Sequence, residues 1–450
     1  MLSIVSCAER NDEALLLPSV PDVGKLVNTR AAGEAVPEIL VKFGTVPDSA
    51  AIASVCGDGV KCIERVFHST PGKEELEKRF GMDRWYSVKM TDGSDPKIVA
   101  QRFAGIASVS AVEYGVTYKK ASDCISHPYV PDNGIQTRAE SSAKIFNDPS
   151  LPAQWHYINN GDVSVATSVY KGADINVADV WRTLTTGDNS IIVAVVDEGV
   201  KYTHPDLKNN VWTNPKEISN GSDSDGNGYV DDIHGYNFVS NGPITWAKTE
   251  DSGHGTHCAG TISAVNNNGI GVSGVAGGSG KGDGVKIMSC QIFDNDRGGS
   301  SSIVAKAIKY AADMGASIIS CSFGYAGGTF KSDLAYKNGN GGNNSLEYDA
   351  IHYFEATKNN DVLDGGIAIF ASGNDVDPYA TYPGALNDVI SVSAFGPDYL
   401  PAYYTNYGPG CNITAPGGEA YLAPWTSFKP MVLSTLPSEL GNGDYGYMQG

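Results

Sequence analysis

The chain has 450 residues, which at roughly 150 per domain is enough for about three units. It carries 32 Lys and Arg against 51 Asp and Glu, a net charge of −19, which argues against nucleic-acid binding because that needs clustered cations to neutralise phosphates. With 41% apolar and only 18% charged residues it can bury a substantial core. Its 53 glycines point to many tight turns, and no apolar run approaches the ~20 residues of a membrane-spanning helix.

In chain order, the first feature is Ile4-Val5-Ser6-Cys7, which looks like a bacterial lipobox and makes Cys7 the expected lipidation site. The apolar run before it, Leu2 to Val5, is shorter than the roughly 7–15 residues of a signal core. Either the signal begins upstream or Cys7 is incidental. Glu9, Asp12 and Glu13 follow, so residues 1–27 read as a solvated tether that would hold the protein on a membrane surface. The eight cysteines contain no CxxC pair and do not form a disulfide scaffold.

Residues 28–120 read as a small domain. Ile39 to Phe43 is strand-like, Asp48 to Cys56 helical, Cys62 to His68 strand-like and Trp85 to Met90 alternating. Asp95 to Ile106 is helical with Ile98, Val99, Phe103 and Ile106 inward, and Val109 to Tyr118 is a last strand. That β-α-β-β-α-β order predicts a split-βαβ, ferredoxin-like α+β sandwich. Residues 121–150 lack periodicity and read as a linker.

From 151 to 450 the pattern changes to short apolar strands, such as Ile191 to Val196, Ile318 to Cys321 and Ile367 to Ala371, alternating with helices. One is Ser301 to Met314, with Ile303, Ala307, Ala311 and Met314 on one face. Strands that are apolar throughout, with helical crossovers, predict an α/β domain whose parallel sheet is covered on both faces by helices.

The chemistry concentrates in Asp251-Ser-Gly-His-Gly-Thr-His-Cys-Ala-Gly260. Its HxxH spacing lacks the Glu of HExxH zinc sites, so a metal pair is disfavoured. His254 suits a general base in the first turn of a helix, with Gly255 and Gly260 allowing close backbone approach, and Cys258 reads as a small buried hydrophobe. Its natural partner is Asp197, at the carboxyl end of the strand Ile191 to Val196.

Together, Val193-Ala-Val-Val-Asp197-Glu-Gly-Val200, His204-Pro-Asp-Leu207, His254-Gly-Thr-His-Cys258 and Ala371-Ser-Gly-Asn374 resemble the subtilisin-like serine peptidases over roughly 155–450. The resemblance implies that Asp197 orients the base, His254 is the base, and Asn374 is the side-chain donor of the oxyanion hole. It also implies that Ser322, Phe323 and Gly324 pair with an extended polypeptide substrate. With Ala371, Ser372 and Gly373 they would wall a primary pocket suited to large apolar side chains. The alternative for Phe323 is a purely core role. Glu198 departs from the Thr or Ser usual after the acid.

The nucleophilic Ser is expected in a Gly-Thr-Ser-Met-Ala segment following a run like Tyr447-Met-Gln-Gly450. It would therefore lie beyond residue 450, and the chain as it stands would be inactive. No GxSxG occurs, and Ser434 and Ser438 lack flanking glycines.

A second motif runs Asp223-Ser-Asp-Gly-Asn-Gly-Tyr-Val-Asp-Asp232. Oxygen groups at positions 1, 3, 5 and 9 match a calcium loop, although His234 stands where an EF-hand has its bidentate Glu. Similar inserts in subtilases bind calcium, so Asp223, Asp225, Asn227, Tyr229, Asp231 and Asp232 are the expected donors; the alternative is a solvated acidic turn. By the same resemblance, residues 28–120 are an inhibitory propeptide whose tail, near Val116 to Ser122, enters the cleft. The reading is a secreted or surface-anchored, propeptide-bearing endopeptidase. Its rival is a non-catalytic, calcium-dependent peptide-binding or adhesion protein of the same fold. The acidity belongs to the second part: residues 28–120 hold 13 basic and 12 acidic groups, residues 121–450 hold 17 and 35.

Overall fold

The structure is a computed structural model that describes residues 5–6, 38–116, 118, 125–131, 145–295, 298–325, 329–330, 332–338, 346–423 and 427–450. Cys7 and most of the expected tether and linker lie outside these residues. Among the described cysteines, Cys62, Cys258, Cys290, Cys321 and Cys411 are free and Cys56 is disulfide-bonded.

The N-terminal unit contains β1 (Val5–Ser6), β2 (Glu38–Phe43), α1 (Ser49–Val55), β3 (Val60–Arg65), α2 (Glu74–Phe80), β4 (Trp85–Met90), α3 (Pro96–Ala104) and β5 (Val109–Tyr114). Its antiparallel sheet has the order β1-β3-β4-β2-β5, the expected split-βαβ arrangement with one added edge strand. Two details differ from expectation. Ile98 is 65% exposed, because Val99, Ala100 and Phe103 form the stripe of α3 that packs on the sheet. Helix α2 is additional; its sequence EELEKRF is too polar to stand out, and its Leu76 and Phe80 pack into the core shared with the larger domain, Phe80 meeting Tyr353 of α8.

The larger domain adds β6 (His127–Pro128), α4 (Val177–Thr183), β7 (Ile192–Glu198), β8 (Gly235–Asn237), α5 (His254–Ser263), β9 (Lys286–Phe293), α6 (Ser301–Asp313) and β10 (Ile318–Cys321). It continues with α7 (Asp333–Asn338), α8 (Leu346–Glu355), β11 (Ile367–Ala371), β12 (Ile390–Phe395), β13 (Ile413–Pro416), β14 (Val432–Thr435) and β15 (Tyr445–Met448). Seven strands form a wholly parallel sheet in the order β13-β12-β11-β10-β7-β9-β8. Val193 to Val196 in the middle of it are buried, as strands covered on both faces must be. Within the expected linker, β6 pairs antiparallel with β15.

The small domain sits on α6 and α8. Lys42 Nζ reaches Asp349 at 2.6 Å, Trp85 Nε1 donates to the same carboxylate at 2.7 Å, and Lys309 Nζ lies between Glu77 (2.7 Å) and Asp313 (2.6 Å). These charges are buried and mutually paired, which is the condition under which such groups are tolerated inside a protein. Covering both sides of α6 also moves its core stripe. Val304, Ala307, Ile308 and Ala311 are fully buried, while Ile303 and Met314, expected to face inward, are only partly so.

Candidate active site

Strand β7 runs as buried Val and Ala up to Asp197, which it delivers at the carboxyl end of the central sheet position between β10 and β9. Helix α5 begins at His254, after Gly253 in the left-handed region at φ 81°, a conformation that favours glycine. It can start there only because Gly255 has no side chain: a Cβ on it would lie 2.1 Å from the Glu198 carbonyl oxygen.

His254 Nδ1 lies 2.8 and 2.9 Å from the two carboxylate oxygens of Asp197. The carboxylate can only accept, so Nδ1 carries the proton and Nε2 is the nitrogen suited to proton transfer. Asp197 is 2% exposed, and its Oδ1 also accepts from the Glu198 amide at 2.6 Å.

Glu198 points from the opposite side of the strand and accepts from the Ser252, Gly253 and His254 amides at 3.1, 2.9 and 3.0 Å, and from the Ser252 hydroxyl. A carboxylate on the first amides of a helix satisfies orphan donors and complements the helix dipole. The residue that looked like a departure therefore positions the turn that carries His254. Only its place one residue after the acid hinted at this.

The second histidine is not a metal partner of the first. His257 is buried and turned to other partners, with Nε2 at 3.1 and 3.2 Å from the Val432 and Gly446 carbonyls, and burial lowers its pKa to about 3. Cys258 Sγ lies 3.8 Å from His254 Nε2, half-buried. Ser434 and Ser438 are otherwise engaged: the buried Ser434 hydroxyl donates to His257 O at 2.8 Å, and Ser438 accepts from Lys201 at 2.9 Å.

Asn374 stands on the turn after β11, beside Gly450. A Cβ built on Gly450 would be 3.4 Å from Asn374 Nδ2. The turn is held by Asn406, which the sequence reading did not identify. Asn406 is fully buried. Its Oδ1 accepts from Asp375 and Asp377 amides at 2.9 and 3.0 Å, and its Nδ2 donates to Ser372 O at 3.0 Å. Gly373, at φ 108°, is the residue Asn406 presses on: a Cβ there would be 2.4 Å from Nδ2.

The segments 322–324 and 371–373 follow the adjacent strands β10 and β11, whose ends pair Cys321 with Phe370. Phe323 is buried against Phe370 and Phe293, and its ring also meets Tyr118 of the small domain at 5.2 Å. Ser372 is buried rather than open to the cleft.

The acidic loop is only partly as expected. One oxygen each of Glu217, Asp223 and Asp225 lie within 4.8 Å of one another. Glu217, from outside the motif, brings a carboxylate to this cluster that the spacing missed. Asp231 turns away to the Asn220 and Gly221 amides. Asp232 is buried against Tyr310, Asn214 and Asn227, and burial raises it to about 6. The Tyr229 ring packs among Tyr236, Phe238 and Tyr310, so only its backbone remains for a ligand role. Asn227 Oδ1 accepts from the Tyr229 amide.

Comparison with known proteins gives the family and the fold. The subtilase family, peptidase S8, matches residues 188–450. Subtilisin-like protease 1 of Plasmodium vivax is 42% identical over 184 residues, covering 40% of this chain and 25% of that protein. The cell wall-associated protease of Bacillus subtilis is 31% identical over 307 residues, covering 68% of this chain and 26% of that one. The chain thus spans well under half the length of these relatives. Among solved structures, fervidolysin from Fervidobacterium pennivorans, a keratinolytic enzyme related to subtilisin, matches 98% of this chain and 56% of its own at TM-score 0.55 and 21% identity. The epidermin leader peptide processing protease of Staphylococcus aureus matches 92% and 84% at TM-score 0.51 and 20% identity. At those identities the likeness is one of fold.

Proposed function

The chain belongs to the subtilase family, and on that premise we propose that it carries a prodomain and catalytic machinery of a serine endopeptidase acting outside the cytoplasm. The observation that carries this is the buried Asp197 carboxylate on His254 Nδ1, with Asn374 just after β11, two strands along the same sheet. Asp197 orients the imidazole, and His254 takes the proton of a serine and returns it to the leaving amine. Asn374 donates to the oxyanion of the tetrahedral intermediate. The nucleophile this arrangement calls for is a serine within reach of both His254 Nε2 and Asn374, and Gly450 stands beside Asn374. In the complete protein a serine-directed phosphonate should label that residue, and His254→Ala should abolish the labelling. Labelling indifferent to that change overturns the assigned base.

Residues 28–120 act as the intramolecular inhibitor. What supports this is the tail: the Ser301 amide donates to Val116 O and the Tyr118 amide to Gly299 O, each at 2.8 Å, an antiparallel pairing of the kind an extended substrate makes. The relatives include a protein described as cell wall-associated and one described as an extracellular serine protease, from Natrialba magadii. No described helix is long and apolar enough to cross a membrane. A lipid on Cys7 would provide surface anchoring.

Calcium fits the acidic loop. Glu217, Asp223 and Asp225 offer three hard oxygen donors on a loop bent by Gly226 and Gly228, at φ 76° and 94°. A calcium ion there would offset the mutual repulsion of these carboxylates and hold the loop in this shape. Chelation should lower the thermal midpoint by roughly 5–10 °C relative to calcium at a hundredfold excess over its Kd. Calorimetry of Asp223→Asn should show that shift gone.

A further inference from the structure

The tail of the small domain does more than lie along the cleft. Tyr118 is 2% exposed, and its ring meets Phe323 at 5.2 Å and Tyr325 at 4.7 Å between centroids. At the base of this aromatic pocket is a carboxylate, Glu347, at the start of α8. Tyr118 donates its hydroxyl to Glu347 Oε1 at 2.7 Å, while Tyr325 and Tyr336, which belong to the larger domain, donate to Oε2 at 2.9 Å each. One carboxylate oxygen is thus served by the pocket's own wall and the other by the visiting side chain.

We propose that Glu347 makes this pocket a tyrosine-selecting subsite of the peptidase cleft, so that substrates carrying tyrosine at the position Tyr118 occupies are preferred over those carrying phenylalanine. The inference rests on the peptidase reading above. The chemistry is that of a buried acceptor. Phenylalanine would fill the aromatic volume equally well, but it would leave Oε1 without its donor where water is excluded. The loss of a hydrogen bond to a charged group costs roughly tenfold to a hundredfold in affinity. A pocket lined only by apolar groups has no such means of telling the two rings apart. The subsite shares Phe323 with the primary pocket expected between 322–324 and 371–373 but is otherwise built from different residues, the 299–301 edge, Tyr325 and α8. Burial, countered by the three phenol hydrogen bonds, holds the Glu347 carboxyl at about 7 with the tail seated, so the discrimination is best measured at pH 8, where the carboxylate is charged.

The experiment uses the complete protein in its active form and a peptide library in which Tyr, Phe and Leu are walked through the positions preceding the cleaved bond. At one position kcat/KM for Tyr should exceed that for Phe by about tenfold or more. In Glu347→Gln, whose amide is a weaker neutral acceptor, that ratio should fall severalfold. A Tyr/Phe ratio near one at every position overturns the proposal, as does a ratio that Glu347→Gln leaves unaltered. Should that variant fail to fold, the Tyr/Phe ratio of the unaltered protein decides by itself. Absence of any peptide cleavage sensitive to His254→Ala would instead strike the peptidase reading, so the two failures are distinguishable.

Discussion

Asp197→Asn in the complete protein should lower kcat by about 10⁴ with KM nearly unchanged. Both carboxylate oxygens face His254 Nδ1, at 2.8 and 2.9 Å, and one of them also accepts from the Glu198 amide at 2.6 Å. An asparagine in the same place can keep only part of this. If its NH2 turns toward the ring, two donors meet and the imidazole must adopt the other tautomer. Nε2 then carries the proton and no longer accepts one from serine. If its oxygen turns toward the ring, the tautomer survives but the negative charge that stabilises the imidazolium is gone. The site is buried, so solvent screens that charge little. The size of Asn matches Asp, so the thermal midpoint should move little, and steady-state kinetics beside calorimetry separates the chemical effect from a folding one. A loss below tenfold would show that Asp197 does not orient the base.

Asn374→Ala should cost on the order of 10²–10³ in kcat, again with little change in KM, because the hydrogen bond it removes strengthens only as the oxyanion forms. The size of the effect depends on how rigidly the amide is held. Asn406 ties the turn at Ser372, Asp375 and Asp377. With the backbone fixed on both sides of Asn374, the donor needs little reorganisation when charge develops, which is what makes such a group effective. Single-turnover measurements would place the loss in the acylation step. An unchanged rate of that step would remove Asn374 from the mechanism.

Much of this site was legible because its chemistry imposes local contexts. A carboxylate at the end of an apolar strand, a histidine opening a helix between glycines and an asparagine after Ala-Ser-Gly are each short patterns. Their residues need particular backbone positions as well as particular side chains. Gly255 illustrates the link, since the approach of α5 to β7 leaves no room for a Cβ. The alternation of apolar strands with helices likewise predicted the parallel sheet, because burial on both faces demands it.

Elsewhere the controlling contacts join residues distant in the chain, and no local pattern records them. Glu198 was visible only as an oddity after the acid. Its role follows from side-chain alternation along β7, which aims it at amides more than 50 positions away while Asp197 faces the imidazole. Glu217 joins the acidic loop because the chain folds back, and Asp231, in perfect register with a calcium motif, turns away because backbone amides at 220 and 221 claim it. The packing of α2 and the extensive burial of α6 involve contacts between the small domain and the larger one. Short-range requirements on backbone and burial made the parallel architecture and the candidate groups Asp197, His254 and Asn374 readable from the chain alone. Which polar groups hold them in place, and which carboxylate lies beneath Tyr118, was decided by tertiary packing, since a buried polar atom takes whichever partner the fold brings within reach.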